Sequence, residues 1–169
     1  MAYTLSEMAD DIRVELSARP ARACADALCA IVSRALNDRA FVDEHLPDRS
    51  PGENPREVLF EDPETGFCIC GHVYQGAAAT GPHDHGSSWA IYGQADGVTE
   101  MTDWKIVRQG SGDAPSLVDL VRTYRLVRGD AHFYDVGDIH SPKRDAPTRL
   151  IRVEGANLDR VTRSNIKAA

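Results

Sequence analysis

The segment Pro82-His83-Asp84-His85-Gly86, with Gly137-Asp138-Ile139-His140 further along, constrains this chain more than any other feature. Side chains alternate sides along an extended strand, so two histidines at i and i+2 point the same way. Both imidazoles can then reach one metal ion, and a third from an adjacent strand can close a facial set. Three neutral imidazoles suit Fe, Ni, Cu or Zn and leave coordination positions for water, substrate or oxygen. The competing reading is a His-Asp-His turn on a polar loop, with His140 an unrelated surface residue. The flanking punctuation weighs against it. Gly76, Gly81 and Pro82 lead into the pair, Gly93 and Gly97 follow it, and Gly129-Asp130 precedes an apolar run that turns at Gly137-Asp138 just before His140. Strand, glycine turn and ligand thus recur at an interval suited to a small β-barrel.

The remaining periodicities support that architecture. Leu5, Met8, Ala9, Ile12 and Leu16 recur at helical spacing, with Thr4 or Ser6 available as an N-cap. A second helix starts at Pro20 and carries Cys24, Leu28, Ile31, Val32 and Ala35 on its buried stripe; a short third spans Arg39–Leu46. These helices are expected to pad one side of the barrel. Pro47–Pro55 reads as a turn-rich connector. Strands are expected at Val58–Phe60, Phe67–Gln75, Trp89–Tyr92, Val98–Arg108, Ser116–Val127, His132–Val136 and Arg149–Glu154, with a turn at Gly93–Gly97. Such spacing is that of an all-β barrel or sandwich. Residues from about Arg160 onward are expected to be loosely held.

The two histidine segments resemble the paired motifs of the cupin superfamily: Gly76–Gly97 the first (G, HxH, G) and Gly129–His140 the second (G, then GxxH), with Asp135 where a proline is usual. Within cupins, Pro82–Trp89 followed by Gly97-Val98-Thr99-Glu100 and Asp103-Trp104 is most similar to the thiol dioxygenases, the cysteine dioxygenase and 3-mercaptopropionate dioxygenase type. The resemblance runs from about Arg56 to Leu158. It implies a mainly β cupin double-stranded β-helix (jelly-roll barrel) with N-terminal α-helices, as a single domain over 1–169 with a helical layer at 1–46 and a barrel at 56–158. It also implies that His83, His85 and His140 hold Fe(II), with Ni, Mn or Zn as the other metals an imidazole set accepts.

Departures from the family pattern bear on substrate. Trp89 and Ala90 stand where many cupins place a glutamate ligand. Losing that carboxylate is shared with thiol dioxygenases and leaves the site its full dipositive charge, suited to an anionic, chelating substrate. The Ser-x-His-x-Tyr run of those enzymes is here Leu150-Ile151-Arg152-Val153-Glu154, and Ala90 stands near the place of a crosslinking cysteine. An arginine–glutamate pair is different chemistry from an imidazole–phenol relay, so a thiol other than cysteine, or a β-diketone, enters as substrate.

The candidate catalytic residues are therefore Arg56, Arg152 and Glu154. Arg56 precedes Glu57-Val58-Leu59-Phe60 as a carboxylate-binding arginine does in the resembling family, and its planar donors suit that task. Arg152 and Glu154 share one strand face, where they can stabilise each other inside the barrel or bind substrate; an exposed pair is the plain alternative. Cys70, His72 and Tyr74 also share a face that looks into the barrel, with His72 either near the site or simply packed. Trp89 reads as wall packing, and Asp84, between the ligands, as facing away from the metal.

Composition excludes several classes. With 169 residues, 42% hydrophobic content and a formal net charge of −7, one domain with a real core is expected, and nucleic-acid binding is not. No apolar run approaches the roughly 18 residues of a membrane span. Met-Ala-Tyr-Thr-Leu-Ser-Glu lacks the charged and apolar regions of a signal peptide, so a reducing cytoplasmic setting is expected. The four cysteines, without CxxC spacing, read as small hydrophobes. The reading is an iron-dependent dioxygenase acting on a small anionic metabolite and O2, as a monomer or homodimer. A non-redox alternative is a Zn, Mn or Ni cupin working as an isomerase, hydrolase or small-molecule binding protein, with Glu154 as its acid or base.

Overall fold

The computed structural model describes residues 3–50 and 52–169; Met1, Ala2 and Pro51 (the last within the expected connector) lie outside the described residues. Helix α1 (Leu5–Ala18) begins with a full capping box: Thr4 accepts from the Glu7 backbone N–H while the Glu7 side chain takes the Thr4 N–H. A 3₁₀ turn (Ala21–Cys24) leads into α2 (Ala25–Asn37), and the Asp38 side chain caps α3 (Arg39–His45).

The described strands are β1 (Arg56–Glu61), β2 (Cys68–Tyr74), β3 (Ala78–Ala79), β4 (Ala90–Asp96), β5 (Thr99–Arg108), β6 (Ser116–Leu126), β7 (Ala131–Tyr134), β8 (Ile139–Arg144), β9 (Thr148–Glu154) and β10 (Ile166–Ala168). They form two sheets, ordered β1-β2-β9-β4-β7 and β10-β6-β5-β8-β3. The antiparallel pairs β2·β9, β3·β8, β4·β7 and β5·β6 trace one long hairpin whose arms alternate between the sheets. Further pairs β4·β9 and β5·β8 stitch successive turns together. A hairpin wound in this way is a double-stranded β-helix, the cupin barrel expected from the histidine motifs.

Period-two alternation assigns opposite tasks to the faces of the first sheet. Ile69, Val73, Ile91, Ala95, Ile151 and Val153 face the helices and join Met8, Ile12, Leu28, Val32 and Leu36 in the larger apolar core. Gly93 was expected in a turn, but β4 runs on through it to Asp96. A Cβ there would lie 2.5 Å from Val32 Cγ1, so glycine serves the close approach of α2. The turn is made at Gly97, whose φ is +75°.

A further strand, β8, was not among those expected: Ile139–Arg144 is extended because its backbone pairs with both β5 and β3. Two expectations need correction. The C-terminal residues are tied down: β10 pairs in parallel with β6, and the Asp84 carboxylate accepts from the Ser164 backbone N–H at 3.0 Å and from its hydroxyl. The His83–His85 pair lies outside any regular strand, since His83 makes a single bridge, with His140.

Candidate metal centre

That bridge brings the two motifs together. His83 N–H donates to the His140 carbonyl and His140 N–H to that of His83, each at 3.0 Å. Gly86, with φ +58°, then turns the chain beneath Thr162, whose carbonyl leaves no room for a Cβ. The result gathers one ring nitrogen each from His83, His85 and His140 within 4.8 Å of one another. Neighbouring donors on one ion stand closer, roughly 3 to 3.5 Å apart, so the three rings would draw inward to close on it.

The donors suit a metal in charge as well as position. Burial, reinforced by Arg152, pushes His85 down to about 2; burial likewise pushes His83 down to about 4, and His140 falls well below the usual range. All three are therefore neutral imidazoles, the ligating form. His83 Nδ1 donates to the Gly81 carbonyl at 2.9 Å, which leaves Nε2 free for an ion. Tyr134, itself hydrogen-bonded to Tyr124, lies against the His140 ring at a centroid distance of 3.9 Å and fixes its plane. Asp84 turns away, as expected, and receives the Gly86 and Ser164 N–H groups. Trp89 packs on Phe133, also as expected.

Beside the triad opens a cavity of about 210 Å3 walled by both sheets. His72 and Tyr74 line it. Arg56 and Arg152 line it too, but their guanidinium groups are already engaged. Arg56 donates to Glu154 at 2.8 Å, to Asn157 at 3.1 Å and to Asp159 at 2.5 Å. Arg152 Nε donates to the other Glu154 oxygen at 2.7 Å. Glu154 is fully buried and also accepts the Leu158 N–H at 3.0 Å. Burial alone would push this carboxyl up, but Arg152 and Arg56 hold it below the usual carboxylate range. Of the readings open to the Arg152–Glu154 pair, mutual stabilisation inside the barrel is the one the geometry displays.

Two residues at the site were not singled out from the sequence. Tyr92 lies directly across from Arg152 in the β4·β9 register, and its hydroxyl sits 3.3 Å from His85 Nε2 and 3.4 Å from His140 Nε2. Arg152 Nη1 donates to that hydroxyl at 3.3 Å. A phenol thus stands at the ligand cluster from β4, although β9 carries Glu154 where the resembling enzymes have tyrosine. Arg144, at the end of β8, lines the cavity as well. Its signal was its even spacing from His140, visible only once Ile139–Arg144 is recognised as a strand.

No protein-family model matches the chain. Curated proteins give no match either. Solved structures with similar folds include a conserved protein with a double-stranded β-helix domain from Klebsiella pneumoniae (18% identity, 74% of this chain and 88% of that one, TM-score 0.49). A cupin superfamily protein from Desulfitobacterium hafniense is 12% identical over 67% of this chain and 96% of its own, with a TM-score of 0.45. The Cnp3 cupin domain of Schizosaccharomyces pombe is 15% identical over 62% of this chain and 67% of its own, also with a TM-score of 0.45. Likenesses this distant say nothing of ligand or chemistry. The fold rests on the strand order, and the site on its own residues: a cupin-type barrel with a three-histidine cluster able to hold one metal ion.

Proposed function

We propose that the protein is a mononuclear non-haem iron dioxygenase acting on a small anionic metabolite that chelates the metal, with oxidation of a thiol to a sulfinate as the leading reaction. The observation that carries this reading is a carboxylate-free set of three neutral imidazoles, of which His83 lines a cavity walled by arginines. Iron(II) held by His83, His85 and His140 would supply the activation of O2. In the overall change a thiol and one O2 give a sulfinate and a proton: the sulfur is oxidised, O2 is reduced with both oxygen atoms retained on sulfur, and the thiol proton leaves to solvent.

The chain's own groups have definite tasks in that reaction. Arg152 stays protonated at all relevant pH values and donates to the Tyr92 oxygen, so the phenolic proton is free to point toward the ligand cluster. Tyr92 can therefore donate a hydrogen bond to an anionic group arriving there. Glu154 holds Arg152 in place and, enclosed by two guanidinium groups, is a poor proton carrier. That argues against the isomerase or hydrolase alternative, which needs Glu154 as acid or base.

The test is oxygen uptake by anaerobically Fe(II)-loaded protein given cysteine, 3-mercaptopropionate, other small thiols and a β-diketone, with iron content measured on the same batch. Uptake coupled to one of them, slowed roughly 10²-fold or more in Tyr92→Phe with iron retained, is expected. Full iron loading with no uptake from any substrate would reject the proposal.

A further inference from the structure

We propose that Arg144 is the anchor for a carboxylate on the ligand, which is therefore a two-ended molecule with a metal-binding donor at one end and a carboxylate at the other. The metal-binding end rests on the function proposed above; the carboxylate end does not.

Among the arginines on the cavity wall, Arg144 combines burial with the lack of an acid. It is 4% exposed, and among the described residues no carboxylate lies within ion-pairing distance of it. Its Nε is buried without an acceptor. Its one evident partner is the Tyr74 ring, with the guanidinium carbon 4.0 Å from the centroid. Such a contact offsets only part of what burying an unpaired charge costs. An anion in the cavity closes that gap. Arg56 does not compete for the role, because Glu154 and Asp159 already neutralise it.

Position agrees with the electrostatics. His140, Pro142 and Arg144 alternate onto the barrel side of β8, and the latter two line the cavity. Four residues of strand separate metal ligand from anchor by about 13 Å between Cα atoms, so the two ends of the cavity have different chemistry. His72 lines the same space with its Nε2 buried and unpartnered, a second polar group waiting on a ligand. A planar fork of donors matches a carboxylate in two hydrogen bonds. The volume of about 210 Å3 lies below the roughly 300 Å3 at which drug-sized pockets begin, so the ligand is a small metabolite. Exposed Arg163, brought to the wall by the Asp84–Ser164 clasp, adds a weaker, screened charge.

Binding tests this without turnover. Metal-free protein is titrated calorimetrically with succinate, and Zn(II)-loaded protein with 3-mercaptopropionate and 1-propanethiol. Wild type is expected to bind succinate, and to prefer 3-mercaptopropionate over 1-propanethiol at least tenfold. Arg144→Gln loses both while its Zn(II) stoichiometry is unchanged; Arg163→Gln weakens them two- to threefold. Should Arg144→Gln not fold, the Nε–Hε resonance of Arg144 in the wild type, assigned by its loss in Arg144→Lys, must shift on adding succinate. Undiminished succinate binding by a folded Arg144→Gln protein, or no such shift, overturns the proposal. A protein that consumes no oxygen but binds succinate through Arg144 would refute the dioxygenase reading and leave this one standing.

Discussion

On the helix side of the first sheet, Ile69, Ile91, Ile151 and Val153 are buried against α1–α3. One residue along the same strands, on the barrel side, stand His72, Tyr92, Arg152 and Glu154, also buried. The two faces share a backbone and differ in almost everything else. The helix side has no charge to satisfy and is closed tightly enough that Gly71 and Gly93 cannot carry a side chain without displacing Leu46, Val32 or Leu36. The barrel side holds a carboxylate, guanidinium groups and imidazoles, some paired and some not. The helical layer supplies apolar burial that a barrel interior devoted to polar groups cannot. A small chain can thus keep a cavity with unsatisfied groups in it, because its stability comes chiefly from the other face.

That division can be broken at several points. The largest effect is expected from His140→Ala, which removes a ligand at the bridge between the two motifs. Metal affinity should fall more than roughly a hundredfold by titration with Zn(II), with the circular dichroism of the barrel retained. Loss of the fold as well would mean that the barrel side carries stability too.

Glu154→Gln comes next. It strands Arg152 in the interior and leaves Arg56 with Asp159 alone, and breaking a buried pair this way costs about 3–5 kcal/mol in urea unfolding. Its acid limb follows the same logic. A carboxyl whose folded pKa is depressed contributes stability that is present above its unfolded pKa and lost as pH falls through the folded one. The variant should therefore lack part of the wild type's loss of stability below about pH 4.5. An unchanged unfolding midpoint would show that the pair is not holding the barrel side together.

Gly93→Val tests the opposite face. Its new side chain meets α2 and should cost about 1–3 kcal/mol while metal stoichiometry and succinate binding stay at wild-type values. A parallel loss of metal would couple the two faces and undo the separation.

The smallest effect is assigned to Asp62, where the helices are clasped to the β1–β2 turn by Arg13 at 2.7 Å. Burial would raise this carboxyl, but Thr65 and Arg13 hold it down at about 2. Stability from this group is complete above about pH 4 and lost as pH falls toward 2. Asp62→Asn should flatten that part of the pH profile of unfolding and leave ligand binding alone; a profile identical to wild type would remove the clasp from the account.

How much of this was legible beforehand varies by residue. The His83–His85 pair and His140 were readable because metal ligation demands particular side chains at fixed spacing. The helices were readable because capping and apolar stripes are local. Arg144 was not, since its strand has Pro142 and Lys143 where β propensity would want branched residues, and the pairing that makes it a strand comes from β5 and β3. Tyr92 was passed over because nothing in its own neighbourhood distinguishes a core tyrosine from one at a metal; the Tyr92–Arg152 register does that, across sixty residues of chain.

The sequence by itself determined the three imidazoles, the absence of a glutamate ligand after them, and the alternation that makes one face of each central strand apolar. These are properties of residue type and short spacing. Only the tertiary structure decided which charges are spent and which are free. Arg56, Arg144 and Arg152 are alike as letters, yet two of them neutralise Glu154 and the third faces an open cavity. The reason is physical: the worth of a buried charge depends on what lies within a few ångströms of it, and in a wound barrel those neighbours come from strands far apart in the chain.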